Sequence, residues 1–288
     1  MNIVYIGSSG PLSIIPLQTL INSKFNVSAV AVDSNKNDTI PNINKNSDSL
    51  ASLAFYNNVP LIKLTKKVAS NVAAIKKYQP DIILVSCYAR KIPTEITQLA
   101  KTGCFNVHPS LLPRYRGPTP LFWQFKKGEK NFGVTLHRVT EKFDQGNIIA
   151  QQTIKIPDGI SKAEASILLA KLASKIILKT LPLLQNGNFK EVTQDEAIAS
   201  YQSYFKKEDY AVSVNWTARR LYNFIAAHKR TMITFPCEID GKNYELLDVI
   251  SYQEHAYKEL NKDMYYITDN VISFKCAEGY VQCIFKNA

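Results

Sequence analysis

Residues Asp81 to Ser86 read Asp-Ile-Ile-Leu-Val-Ser, an apolar, β-branched run bounded by Pro80, and Gly103 to His108 read Gly-Cys-Phe-Asn-Val-His. Strands that are apolar on both faces belong to sheets covered by helices on both sides, so the two runs predict neighbouring parallel strands of an α/β layer. The amino terminus fits the same plan. Met1 to Ile6 is a short apolar strand feeding Gly7-Ser-Ser-Gly10, and a helix follows through Leu20. This is the first βα unit of a doubly wound fold, but its glycines form neither a full G-x-G-x-x-G nor a P-loop, so dinucleotide binding is disfavoured.

Further along, Val27 to Val32 reads as a strand and Ser34 to Asp48 as a polar, Asn-rich loop. Residues 49 to 57 and 67 to 78 are expected to be helical, with Leu61 to Leu64 a short strand between them. Thr119 to Lys127 suits a helix with Pro120 in its first turn. Phe132 to Val139 and Gly146 to Ile156 alternate as an antiparallel pair around a turn at Asp144, and Lys162 to Gln185 is a long amphipathic helix. Near residue 200 the pattern changes. Thr217 to Ala227 is amphipathic, and short runs follow at Ile233 to Ile239, Tyr244 to Tyr252, Met264 to Ile267, Val271 to Cys276 and Tyr280 to Phe285. Asp240-Gly241 between two such runs is a strong hairpin signal. The expected architecture is α/β: a Rossmann-like, mostly parallel sheet over residues 1–200, then a small β-rich open barrel, OB-like, over 201–288.

Side chains two apart on a strand point the same way, so Asn106 and His108 project together. Pro109 removes a backbone donor and stops ladder pairing, which puts His108 at the carboxyl end of its strand, where open α/β sheets place their ligands. A lone His beside an apolar strand is more often a satisfied structural residue. Here an Asn stands two residues before it, a Pro-bracketed loop follows, and Asp144-Gln-Gly occupies a later turn. An amide, an imidazole and a carboxylate brought together can perform acyl-group chemistry.

These segments carry a resemblance. Asn106-Val-His108-Pro-Ser110-Leu111-Leu112-Pro113-Arg-Tyr-Arg-Gly117, then Gly133-Val-Thr-Leu-His137, then Asp144-Gln-Gly146-Asn-Ile-Ile-Ala-Gln151, closely resemble the folate-dependent formyltransferases. Methionyl-tRNA formyltransferases, and the domain that formylates a uridine-diphosphate amino-arabinose, are the members most alike. The resemblance implies transfer of a formyl group from 10-formyltetrahydrofolate, as co-substrate, to a primary amine, with no metal. It implies Asn106, His108 and Asp144 as the catalytic set. Asn106 would donate an N–H to the oxyanion, and a donor of this kind is worth roughly 3 to 4 kcal/mol. His108 would donate a hydrogen bond and move a proton, its ordinary pKa lying near about 6.5. Asp144 would either orient and charge-stabilise the imidazole or take the amine's proton, a role that a carboxyl raised by burial would suit.

The resemblance also implies that Ser86, Cys87, Tyr88, Arg90 and Ile92 in one loop, and Ser110, Leu111, Leu112 and Pro113 in another, wrap the folate. Arg90-Lys91 stands where the tRNA enzymes usually carry smaller or apolar residues. Arg114 and Arg116 are candidates to meet an anionic substrate or to be solvated surface groups. His137 reads as a packing residue of its strand, and Cys87 as an incidental thiol rather than a nucleophile.

Charge bears on the acceptor. The chain of 288 residues carries a net charge of +11, which invites a polyanion. Residues 1–200 hold 24 Lys and Arg against 13 Asp and Glu, whereas 201–288 hold 11 against 11. The excess is confined to the first part. In the loop after the second strand, Lys36 and Lys45 are offset by Asp38 and Asp48. Methionyl-tRNA is the leading expectation for the acceptor, a nucleotide-linked amino sugar or another small amine the alternative, and hydrolysis of 10-formyltetrahydrofolate a third reading. The five cysteines form no C-x-x-C pair, which argues against a disulfide framework or a zinc site. No signal peptide or membrane span is expected, and a reducing cytoplasm is the expected setting.

Overall fold

In the computed structural model, residues 1–34, 49–229, 233–255 and 265–287 are described. All of the expected loop Ser34 to Asp48 except its first residue, and Met264 at the start of one expected strand, lie outside them. The chain forms two compact units, one of Met1–Pro120, Phe132–Ile154 and Ser166–Gln202, the other of Leu121–Asn131, Lys155–Ala165 and Ser203–Ala288.

The first unit is built on a seven-stranded sheet. Its strands are β1 (Asn2–Gly7), β2 (Asn26–Asp33), β3 (Leu61–Leu64), β4 (Ile82–Ser86), β5 (Gly103–His108), β6 (Asn131–Arg138) and β7 (Ile148–Lys155), in the order β3-β2-β1-β4-β5-β6-β7. Pairing is parallel from β3 through β5, and β6 runs antiparallel to β5. The parallel strands are apolar on both faces because both are covered: Val4, Ile6, Ile83 and Val85 belong to one continuous buried cluster with Ala29, Ile75 and Ile96. The order reverses direction between β1 and β4, the place where open sheets of this kind form a crevice at the strand ends.

Helix α1 (Pro11–Ile21) follows β1 directly, with Pro11 in its first turn, where a missing N–H costs nothing. Gly7, the last residue of β1, has to be glycine: a Cβ there would lie 2.2 Å from the Ser13 hydroxyl and 2.9 Å from the Ser86 carbonyl. The helices α2 (Leu50–Tyr56), α3 (Val68–Lys76) and α4 (Thr94–Thr97) alternate with the strands, and α5 (Pro120–Lys127) precedes β6. In α6 (Lys162–Gln185), Leu169, Ala173, Ile176, Ile177, Leu181 and Leu184 are buried, at the spacing of one helix face.

The second unit carries α7 (Ala218–His228) and a five-stranded sheet of β8 (Phe235–Ile239), β9 (Lys242–Gln253), β10 (Tyr265–Thr268), β11 (Val271–Lys275) and β12 (Tyr280–Asn287), in the order β10-β11-β12-β9-β8 with antiparallel pairing. Asp240 and Gly241 join β8 to β9 with φ of 50° and 71°, the backbone that an Asp-Gly hairpin turn requires. Phe122, Phe205, Tyr210 and Phe224 pack their rings together with His228 in this unit. No helix among the described residues is long and apolar enough to cross a membrane.

Candidate active site

Asn106, His108 and Asp144 meet at the carboxyl end of β5, all within the first unit. The antiparallel register between β5 and β6 sets Asn106 opposite His137 and His108 opposite Thr135. Asp144 sits in the turn after β6 with φ of 55°, a conformation non-glycine residues adopt sparingly and which surrounding bonds must hold. Its Oδ2 accepts the Gly117 N–H at 2.8 Å and lies 3.7 Å from His108 Nδ1, while its Oδ1 accepts from the Asn106 amide at 3.4 Å.

The remaining ring nitrogens have fixed partners. His108 Nε2 lies 2.8 Å from the Tyr115 carbonyl, which can only accept, so Nε2 carries a hydrogen and Nδ1 of the neutral ring faces Asp144. By the same reasoning His137 Nδ1 donates to the Arg138 carbonyl at 2.9 Å, leaving Nε2 to accept the Asn106 amide at 3.1 Å. The Asn106 amide orientation follows, since an oxygen in place of its nitrogen would face the Asp144 carboxylate.

Electrostatics separate the two titrating groups. Burial pushes the His108 imidazole below its ordinary range, against the opposing pull of Asp144. Burial alone would raise the Asp144 carboxyl, but His108, His137 and the Gly117 N–H outweigh it and hold the acid well below the usual carboxylate range. Of the two roles expected for Asp144, a lowered carboxyl suits charge stabilisation of the imidazole and not proton removal. Asp144 stays anionic and is a weak base; neutral His108 is the better proton acceptor.

Beside these residues opens a cleft enclosing about 440 Å³, part of it continuous with solvent. Of the first expected folate loop, Tyr88, Arg90 and Ile92 border it, together with Asn106, His137 and Asp144. Lys91, Lys142 and Phe143 stand at its edge as well. Arg90 is anchored: it pairs with Asp33 at 2.9 Å, donates to the Tyr88 hydroxyl at 3.1 Å and to the Leu64 carbonyl at 3.0 Å. Ser86 and Cys87 are not among the bordering residues. Ser86 is buried, its hydroxyl donating to the Leu12 carbonyl at 2.7 Å, and Cys87 is exposed with φ of 55°.

The second expected loop packs against β6 and does not border this cleft. Ser110 is buried with its hydroxyl donating to the Arg114 carbonyl at 2.7 Å, and Leu112 is buried beside it. The Thr135 hydroxyl donates to the Ser110 carbonyl at 2.6 Å and accepts the Leu112 N–H at 3.2 Å. Gln151 donates to Thr135 and to the Leu112 carbonyl. The Leu112–Pro113 peptide is cis. Arg116 is no substrate-facing cation: its side chain is buried and bonds Gln194 at 2.9 and 3.1 Å and Glu196 at 2.6 Å.

His137, expected as a packing residue of its strand, instead borders the cleft and bonds Asn106, while Thr135 and Gln194 were not singled out in the sequence. The alternation in Gly133-Val-Thr-Leu-His137 puts Thr135 and His137 on one face, and an antiparallel pairing with β5 would have aimed them at His108 and Asn106. Gln194 carries no such signal. No group of three or more His, Cys, Asp or Glu side chains among the described residues is arranged to hold a metal ion.

Comparison with known proteins accords with this geometry. Residues 1–181 match the formyl transferase family. The chain is 32% identical over 232 residues to a methionyl-tRNA formyltransferase of Pelotomaculum thermopropionicum, covering 78% of this chain and 71% of that protein. It is 37% identical over 156 residues to the bifunctional polymyxin resistance protein ArnA of Wigglesworthia glossinidia brevipalpis, covering 53% of this chain and 23% of that one. In structure it resembles an N-formyltransferase from Helicobacter canadensis crystallised with folinic acid and dTDP-3-aminofucose. That likeness has a TM-score of 0.72 and 17% identity, and it covers 98% of each chain.

Proposed function

Because the chain belongs to the formyl transferase family and is a folate-dependent N-formyltransferase, we propose that Asn106, His108 and Asp144 transfer the formyl group of 10-formyltetrahydrofolate to the amino group of methionyl-tRNA. The observation that carries the catalytic assignment is the single carboxylate of Asp144, which faces His108, Asn106, His137 and the Gly117 N–H together.

The amine nitrogen attacks the formyl carbon, the carbonyl π pair moves to oxygen, and the nitrogen becomes positively charged. Neutral His108 takes its proton at Nδ1, and anionic Asp144 stabilises the imidazolium so formed. Asn106 turns the hydrogen of its long Asp144 contact toward the oxyanion, a donor held at the place where charge develops. The oxyanion then re-forms its double bond, the bond from carbon to the folate nitrogen breaks, and that nitrogen takes the proton back from His108. The products are a formamide and tetrahydrofolate. Tyr88, Arg90 and Ile92 would border the donor in a cleft that mixes apolar with charged side chains, Lys91, Lys142 and Asp144 among them, while Ser110 and Leu112 pack against Thr135 of β6.

A nucleotide-linked amino sugar is the second reading of the acceptor. Two observations favour it: residues 201–288 carry no excess of positive charge, and a relative named for polymyxin resistance shares 37% of 156 residues. We assign formyl transfer to residues 1–200 and a small β-rich domain to 201–288, and place the protein in the cytoplasm, in keeping with five cysteines that form no C-x-x-C pair.

The test supplies 10-formyltetrahydrofolate with methionyl-tRNA and, separately, with a panel of nucleotide-linked amino sugars, and reads formamide formation by mass. Formyl-methionyl-tRNA as the main product supports the first reading. Formylation of a sugar alone selects the second, and formate release without any amine acceptor overturns both in favour of hydrolysis.

A further inference from the structure

After α6 the chain returns past the site as a strap from Gln194 to Gln202, with a 3-10 turn at Glu196–Ile198. Its backbone and side chains hold the loop that follows β5: Ser200 N–H donates to the Pro113 carbonyl at 3.1 Å, the Ser200 hydroxyl accepts the Tyr115 N–H at 2.9 Å, Arg116 N–H donates to the Ser200 carbonyl at 2.9 Å, and Gln202 N–H donates to the Arg116 carbonyl at 2.8 Å. That loop supplies the Tyr115 carbonyl to His108 and the Gly117 N–H to Asp144. Gly117, at φ of 109°, is pressed so closely on the strap that a Cβ would lie 2.1 Å from the Gln202 carbonyl.

Gln194 connects the strap to the other half of the site. It is buried, and its amide nitrogen donates to the carbonyls of Asp144 at 2.7 Å and Gly146 at 2.8 Å. Its amide oxygen accepts two hydrogen bonds from the Arg116 guanidinium, which is itself held by Glu196. Both ends of the amide are thus committed, and the turn carrying Asp144 in its positive-φ conformation is tied by one side chain to the loop that serves His108.

We infer that Gln194 is a positioning residue for formyl transfer, with Arg116 as its anchor, setting the distance between the Asp144 carboxylate and His108 Nδ1. This rests on the roles of His108 and Asp144 given above. Gln194 lies beyond the residues that match the family model, 1–181. The charged and titratable groups facing His108 are Asp144 and His137, whose ring centroid lies 6.2 Å from that of His108. Only Asp144 is tied to Gln194.

Gln194→Glu keeps the side chain's volume and its bonds to Arg116 but replaces the amide donor with an acceptor facing two carbonyls. Gln194→Ala removes the link altogether. With Asp144 displaced, His108 loses the counter-charge that supports its protonated form, so its titration moves to lower pH. The readout is NMR titration of histidine ring resonances, with the His108 signal assigned by its loss in His108→Asn. Because it needs no substrate, it stands even if formyl transfer does not. Gln194→Ala is expected to titrate His108 at lower pH than the parent, and both variants are expected in a formylation assay to lose kcat by about 10- to 100-fold with KM changed little, as loss of positioning does. An unshifted His108 titration in folded Gln194→Ala overturns the inference. A parent enzyme that formylates no amine, with the shift present, overturns the reaction reading and leaves the positioning intact.

Discussion

Nδ1 of His108 and Oδ2 of Asp144 stand 3.7 Å apart, with their side chains only 5% and 11% exposed. That separation exceeds a hydrogen bond and fits a proton acceptor paired with a fixed counter-charge.

Activity follows from how the pair titrates. His108 has to be unprotonated to take the amine's proton, and burial sets its pKa below the ordinary value of 6.5. The acidic limb of kcat/KM against pH is therefore expected below that value, with activity falling as pH drops through it. Asp144→Asn removes the counter-charge, so the limb moves to still lower pH and kcat falls by about 10²- to 10⁴-fold, the span of positioned acid–base groups. An acidic limb above the ordinary histidine range would exclude His108 as the base.

His137 takes a hydrogen bond from Asn106 inside the site. In His137→Ala the half-buried Asn106 amide loses an acceptor, at a cost of about 1 kcal/mol. Urea denaturation of the variant against the parent checks this; equal midpoints would show that Asn106 finds another partner.

Arg116 presents two guanidinium nitrogens to Gln194 and also bonds Glu196. Lysine, a point charge on a flexible stem, cannot reproduce that fork, so Arg116→Lys is expected to recover little of the stability lost in Arg116→Ala, about 1–3 kcal/mol. KM for the acceptor should be nearly constant in both. A large rise in acceptor KM with unchanged stability would return Arg116 to a substrate-binding role.

In the second unit, burial among Phe122, Phe125 and Phe224 pulls His228 down to about 4. Its folded pKa lies below the unfolded one. The unfolded chain therefore binds the proton first, and the stability present above 6.5 is lost as pH falls from there toward 4. The full span is worth about 3 kcal/mol, at about 1.4 kcal/mol per pH unit. Substitution by Phe should flatten this part of the stability profile, as measured by denaturant unfolding at about pH 7.5 and about pH 4.5. An unchanged slope would place the acid sensitivity elsewhere.

Periodicity along a strand is local, and what it governs was legible in the amino-acid order. Buried strands at Asp81 to Ser86 and Gly103 to His108, the shared face of Asn106 and His108, the stop at Pro109 and the Asp240-Gly241 hairpin all depend on neighbours a few residues away. The resemblance of the segments around Asn106, His108 and Asp144 to the formyltransferases likewise pointed to formyl transfer. Tertiary structure alone decided the rest. His137 enters the site because β6 lies antiparallel to β5 in one register, 31 residues along the chain from Asn106. The carboxyl of Asp144 is held down rather than raised because two imidazoles and the Gly117 N–H converge on it from separate segments. Arg116 turns inward, and Gln194 reaches the Asp144 turn from 50 residues away, because the strap after α6 happens to pass there. A side chain's own chemistry is written in the sequence, but its ionisation and its partners are set by which distant segments the fold lays against it.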